Sequence, residues 1–264
     1  MIHCSRVDRS SAGVRRLLLA LALATGGAGC GLFDITSDVT IDIFAAHHPR
    51  RGAEGVFPEY GFDNLPRTWT NDTGWEINLT EGYIVITGAR LIACDGTEYP
   101  ISTPFGPLPE YVNWTDFDVT VLGGAEIPEG DYCELSVDYG PYQAEKAALA
   151  AEQAHVIPSG RDLEGLTIFL AGRATKDDMV VDFALQSGES RSSSFELRAG
   201  DGTPAIFEVM DEGGALKATI GKTYDRFFEG IDFTTYDTNA DAINAGLMTI
   251  LIEESQAYRG TTIF

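Results

Sequence analysis

Positive charge is scarce in this 264-residue chain, where 18 Lys and Arg stand against 40 Asp and Glu for a formal net charge of −22. That balance excludes nucleic acid as a partner, because phosphate binding needs concentrated Lys and Arg. Histidine is scarcer still, at four. No Gly-x-Ser-x-Gly elbow, His-Glu-x-x-His, Walker loop or strand-borne Gly-x-Gly-x-x-Gly occurs, so no motif for hydrolytic, metalloprotease or nucleotide chemistry is present. Carboxylate pairs such as Asp116 and Asp118 are expected by chance among so many acids and read as solvated surface. No repeat of 20 to 50 residues is visible, which argues against propellers and solenoids. The chain is read as non-enzymatic.

What is there begins with an address. Arg6, Arg9, Arg15 and Arg16 flank an apolar run, Leu17 to Ala24, that is too short to span a bilayer as a helix. Gly26-Gly27-Ala28-Gly29 then precede Cys30. Small residues directly before a cysteine resemble the lipobox of bacterial lipoproteins, with Gly27 where that family has Leu. The resemblance implies a signal peptide over residues 1–29, acylation at Cys30, and a lipidated tether over 30–38 that holds the protein on the membrane. Gly31 lacks the inner-membrane retention signal of enteric sorting, so the implied location is the cell envelope at the outer membrane. Removing residues 1–29 takes away four Arg and one Asp, which moves the net charge from −22 to −25. Such a surface repels anionic lipid and leaves the acyl chains as the membrane contact.

With Cys4 lost in the signal and Cys30 acylated, Cys94 and Cys133 remain as an even pair in an oxidising compartment, and a disulfide is expected. Asn71, Asn78 and Asn113 open Asn-x-Thr sequons, which a bacterial export signal makes irrelevant to glycosylation.

Residues 39–264 are read as one domain. Period-two alternation marks strands at Val39 to Phe44, Trp75 to Leu79, Tyr83 to Cys94 (with a bulge at Gly88), Phe117 to Leu122 and Tyr132 to Tyr139. Others fit Leu166 to Ala171, Met179 to Leu185, Ser194 to Arg198, Ile206 to Met210 and Leu216 to Ile220, with tight turns at Asp201-Gly202 and Gly213-Gly214. Residues 45–74 and the Pro-rich stretch 95–114 read as loops. An Ala-rich helix is expected from Gln143 to Ala154, and Ile243, Leu247, Ile250 and Leu251 predict an amphipathic helix over Asn239 to Tyr258. Asp237, Asn239 and Asp241 read as its cap rather than a calcium loop. The fold expected is mainly β: a β-sandwich of about ten strands, with the Ala-rich helix in an inter-strand insertion and a C-terminal amphipathic helix.

Two constellations carry the functional expectations. His47-His48 opens the first long loop and His155 follows the Ala-rich helix; one of the pair with His155 and an acid could bind copper or zinc, whereas surface histidines in loops are the plain alternative. The segments Glu81 to Ile92, Ile127 to Tyr132, Gly165 to Gly172 and Phe227 to Phe233 resemble the MbnP-like periplasmic proteins. That resemblance runs over much of residues 75–235 and implies a mostly β fold with copper-peptide or metal handling; it transfers no ligand residue. The partner would then be a metal ion or an envelope protein. The alternative is a glycan- or protein-binding surface module, in which Tyr60 and Trp69 of loop 57–69 and Tyr111 and Trp114 of loop 105–114 form a stacking platform, unless they serve as buried anchors.

Overall fold

The computed structural model describes residues 38–48, 67–103, 106–111, 119–149, 160–210 and 216–260. The signal segment, Cys30 and most of the tether lie outside them. Among the described residues thirteen strands join in one hydrogen-bonded sheet. Its organising element is β3 (Glu76–Ala93), where the sequence suggested two shorter strands. The bulge expected at Gly88 is there, as a register shift between Ile86 and Gly88. A Cβ on Gly88 would come within 2.8 Å of the Asp138 carboxylate, so this position favours glycine.

Along one side of β3 run β2 (Arg67–Thr70), β5 (Gly106–Tyr111) and β4 (Glu98–Ile101). Along the other run β7 (Gly130–Tyr139), paired with Ile86–Ala93, and β8 (Ile168–Lys176), paired with Glu76–Ile84. The chain leaves this line at Gly140 and rejoins it at Thr167, and Val85 of β3 holds both ends. Its carbonyl accepts from Gly140 N–H (3.3 Å) and its N–H donates to the Thr167 carbonyl (2.8 Å). The excursion carries α1 (Ala144–Leu149), within the expected Ala-rich helix, whose positions 150–154 lie outside the described residues. Its return leg is pinned by Arg161, which grips Glu81 with two guanidinium nitrogens (2.8 to 3.0 Å) and lies 4.4 Å over the Phe169 ring.

The second arm of the sheet runs β6 (Val119–Pro128), β1 (Asp38–His48), β12 (Leu216–Thr223) and β13 (Ser255–Arg259). The layers of the expected sandwich are joined through β10 (Arg191–Arg198), which pairs with β7 as far as Glu196 and then with β13 at Leu197 and Arg198. At the opposite seam Ser102, just past β4, exchanges two backbone hydrogen bonds with Gly124 of β6 (3.0 and 3.2 Å). Gly123 and Gly124, which looked like the end of a strand, sit inside β6 because the backbone of 102–103 crosses directly over Gly123. The 95–114 stretch holds two strands; Pro107 and Pro109 are tolerated in β5 because it pairs only with β3 among the described strands.

One apolar core joins both arms, with Ile41, Ile43, Ile77, Leu91, Val137, Ile168 and Ile220 fully buried. Each such side chain contributes about 1.5–3 kcal/mol on burial. The hairpin of β8 and β9 (Met179–Ser187) is roofed by α2 (Tyr236–Glu253), whose Leu247, Met248 and Leu251 join that core. The helix stops earlier than its apolar spacing suggested. Ser255–Arg259 is a strand instead, because pairing with β12 and β10 satisfies its backbone there. Asp237, Asn239 and Asp241 fall within the helix rather than capping it; Thr235 holds the N-cap position and accepts at its hydroxyl from Asn239 Nδ2 (2.9 Å).

Two 3-10 turns, Tyr224–Phe228 and Phe233–Thr235, connect β12 to α2. Buried Asn71 clasps the segment between them. Its Nδ2 donates to the carbonyls of Phe228 and Ile231 (2.9 Å each), and its Oδ1 accepts from Trp75 N–H (2.9 Å). Trp75 is fully buried, and its Nε1 donates to Asp232 (3.2 Å). A sequon asparagine spent in this way has no free amide to modify in the folded chain. The Asp201-Gly202 turn is present, with Gly202 at φ +82°; Gly213-Gly214 lies outside the described residues.

Candidate binding site at the end of β1 and β12

His47 and His48 do not open a loop; they are the last two residues of β1. Parallel pairing with β12 sets His47 beside Lys222 and His48 beside Thr223. Successive strand residues occupy opposite faces of a sheet, so the two histidines hold positions on opposite faces. His155 lies outside the described residues, as do Tyr60 and Trp114. Tyr111 is the last residue of β5.

The register neighbour of His47 is unusual. Lys222 is 1 % exposed, on the same strand face as buried Ala218 and Ile220. Its Nζ donates to the Ala46 carbonyl (3.3 Å). Opposite it on β13 is buried Ser255, which donates to the Leu251 carbonyl (2.6 Å) and lies 3.4 Å from the Tyr139 hydroxyl. This end of the core is therefore polar, with an ammonium and two hydroxyls among aliphatic and aromatic walls. A buried charge costs several kcal/mol unless it is compensated, so Lys222 depends on its partners at this end of β12. A lysine in step with an apolar alternation was the sequence signal for it, and charge counting passes over it.

Trp69 is the one platform residue whose side chain is described. Its ring packs edge-on against Tyr224 (5.4 Å) and Phe228 (5.2 Å), directly after the register position of His48. It is half-buried, and its Nε1 is buried with no partner among the described residues. Next to it Arg226 bonds Glu229 (2.7 Å) and approaches Glu254 (3.5 Å). The Glu229 hydrogen bond, against the cost of burial, raises the guanidinium above its ordinary range. Among the described residues no three His, Cys, Asp or Glu side chains group closely enough to hold a metal ion.

Cys94, just past β3, and Cys133 on β7 form the expected disulfide across adjacent strands, with Cα atoms 5.0 Å apart. It lies at the far end of β3 from the β2 and β8 pairing.

No family model matches the chain, and no curated protein matches it. Among solved structures the chain is similar to MbnP from Methylosinus trichosporium, at 12 % identity and a TM-score of 0.39, over 72 % of this chain and 78 % of that one.

Proposed function

We propose that the chain is a non-enzymatic, lipid-anchored binding protein of the bacterial cell envelope that takes up copper or zinc at the end of β1. The observation that carries the metal reading is the placement of His47, an imidazole-bearing residue in register with Lys222 at the polar end of an otherwise apolar core. Imidazole nitrogen suits both metals. The remaining ligands are His155 and an acid, as the sequence suggested.

The disulfide supports the compartment. A Cys94–Cys133 bridge belongs to an oxidising environment, and it leaves Cys30 as the cysteine available for acylation in the exported chain.

The test is a copper and zinc titration of residues 31–264, with bound metal measured after mild dialysis. Stoichiometric, submicromolar binding is expected, lost in His155→Ala and in only one of His47→Ala and His48→Ala, because the two occupy opposite faces. Binding no stronger than the general acidity of the surface provides would overturn the metal reading and turn attention to Trp69 and its aromatic neighbours.

A further inference from the structure

Away from the β1 end, a groove of about 600 Å³ lies between α2 and the segment linking the two 3-10 turns. Phe227 and Ile231 form one wall, Ile243 and Ile250 the other, and Gly246 lies between them. Volume and lining fall within the range of small-molecule sites, which are mostly apolar with a few placed polar groups.

Gly246 is the informative residue. Glycine in a helix interior is the least favourable choice after proline, and a structural reason usually accompanies it. Among the described residues none does. Its backbone is helical, and a Cβ built on it meets nothing within 4 Å among them. The described residues leave room for a methyl at 246, and a larger side chain there would take up the depth of the groove.

The charge of the groove is one-sided. Glu229 and Asp232 line it and no Lys or Arg does. Glu229 is engaged by Arg226 (2.7 Å). Asp232 is exposed, and its Oδ1 accepts from Trp75 Nε1 (3.2 Å) and Thr234 N–H (3.1 Å). The Thr234 side chain also bonds this carboxylate, and Lys176, outside the lining, adds an attraction; both favour its ionised form. An ionised oxygen thus stands at the mouth of an apolar slot.

We infer that this groove binds a small organic cation with an apolar body, such as an alkylammonium, with the chain of the ligand over Gly246 and its ammonium on the exposed Asp232 carboxylate. The charge of the rim selects the head group and the aliphatic walls select the tail. The site is separate from the β1 end, and the inference stands or falls without any metal.

Trp75 is a built-in reporter, since its indole N–H is bonded to the same carboxylate. In the full, metal-free chain, hexylammonium should shift the Trp75 indole N–H resonance saturably, and hexanol should bind about tenfold more weakly, the scale of one charge-assisted hydrogen bond. Asp232→Asn should bring hexylammonium down to the affinity of hexanol. Gly246→Leu should abolish the shift while leaving the melting temperature unchanged or higher, and Gly246→Ala should weaken it partly. Absence of a saturable shift in the unmodified chain overturns the inference. So does undiminished binding in Gly246→Leu, and equal affinity for hexylammonium and hexanol would remove the role of Asp232.

Discussion

The Tyr236 hydroxyl both donates to the carbonyl of Ala184 and accepts from its N–H, at 2.9 Å each, so one side chain of α2 replaces a missing strand at the open edge of β9. Asn244, two helical turns on, does the same for the N–H of Gln186 (2.9 Å). Exposed backbone at a sheet edge is a template for pairing with another chain, and covering it is a recognised protection. Tyr236→Phe should therefore cost about 1 kcal/mol, modest because water reaches the freed groups. It should also raise self-association at high protein concentration. Urea unfolding and light scattering read the two effects, and a variant with unchanged scattering would mean that α2 shields the edge by bulk alone.

Gly123 and Gly246 should respond oppositely to alanine. At Gly123 the new methyl would sit on the Ser102 carbonyl, at the seam between β4 and β6, and a loss of about 3 kcal/mol or failure to fold is expected. At Gly246 the methyl enters open space within a helix, and a gain of up to about 1 kcal/mol is expected. Chemical denaturation of both variants checks the pair.

The Cys94–Cys133 bridge closes a loop with a sequence separation of 39, which encloses β4, β5 and β6. On the loop-entropy model its removal lowers stability by about 4 kcal/mol. Replacing both cysteines by serine should show that loss by urea unfolding under non-reducing conditions, and the unmodified chain should match the variant once reduced.

Asp138 joins three strands. It accepts from both terminal nitrogens of Arg90 (2.7 and 3.0 Å) and from the Ser192 hydroxyl. The Arg90 hydrogen bonds hold its carboxyl below the ordinary range, against the opposing effect of partial burial. A depressed carboxyl contributes stability that is present above its unfolded value of about 4 and is lost as pH falls through the lower folded value. Asp138→Asn should thus be about 1–2 kcal/mol less stable at pH 7, with the gap closing in acid. A gap that is constant from pH 7 to pH 2 would assign the effect to packing.

Much of the fold was legible because alternation is a local signal. The strands around Val137, Phe183 and Ile220 follow it, and the spacing of Leu247 and Leu251 marked α2. What escaped was set by distant partners. Ser255 to Arg259 carries no strand pattern that outweighs the preceding helix period, and only pairing with β12 makes it one. Gly123-Gly124 falls beyond the strand that alternation marks to Leu122, until Ser102 is placed across it. The site was legible in part. His47-His48 was visible as a pair, but its place in a strand, and therefore its division between two faces, came from register with Lys222 and Thr223. The clasp by Asn71 was masked by its reading as a sequon.

The junction at Val85 has a consequence for how this protein can change over time. Because β7 and β8 lie on one line along β3, with Gly140 and Thr167 both bonded to Val85, the stretch between them enters and leaves the sheet at one point. Lengthening, shortening or exchanging that stretch leaves every strand register intact. His155 lies within it. That stretch can therefore be traded for another at little risk to the strands it joins.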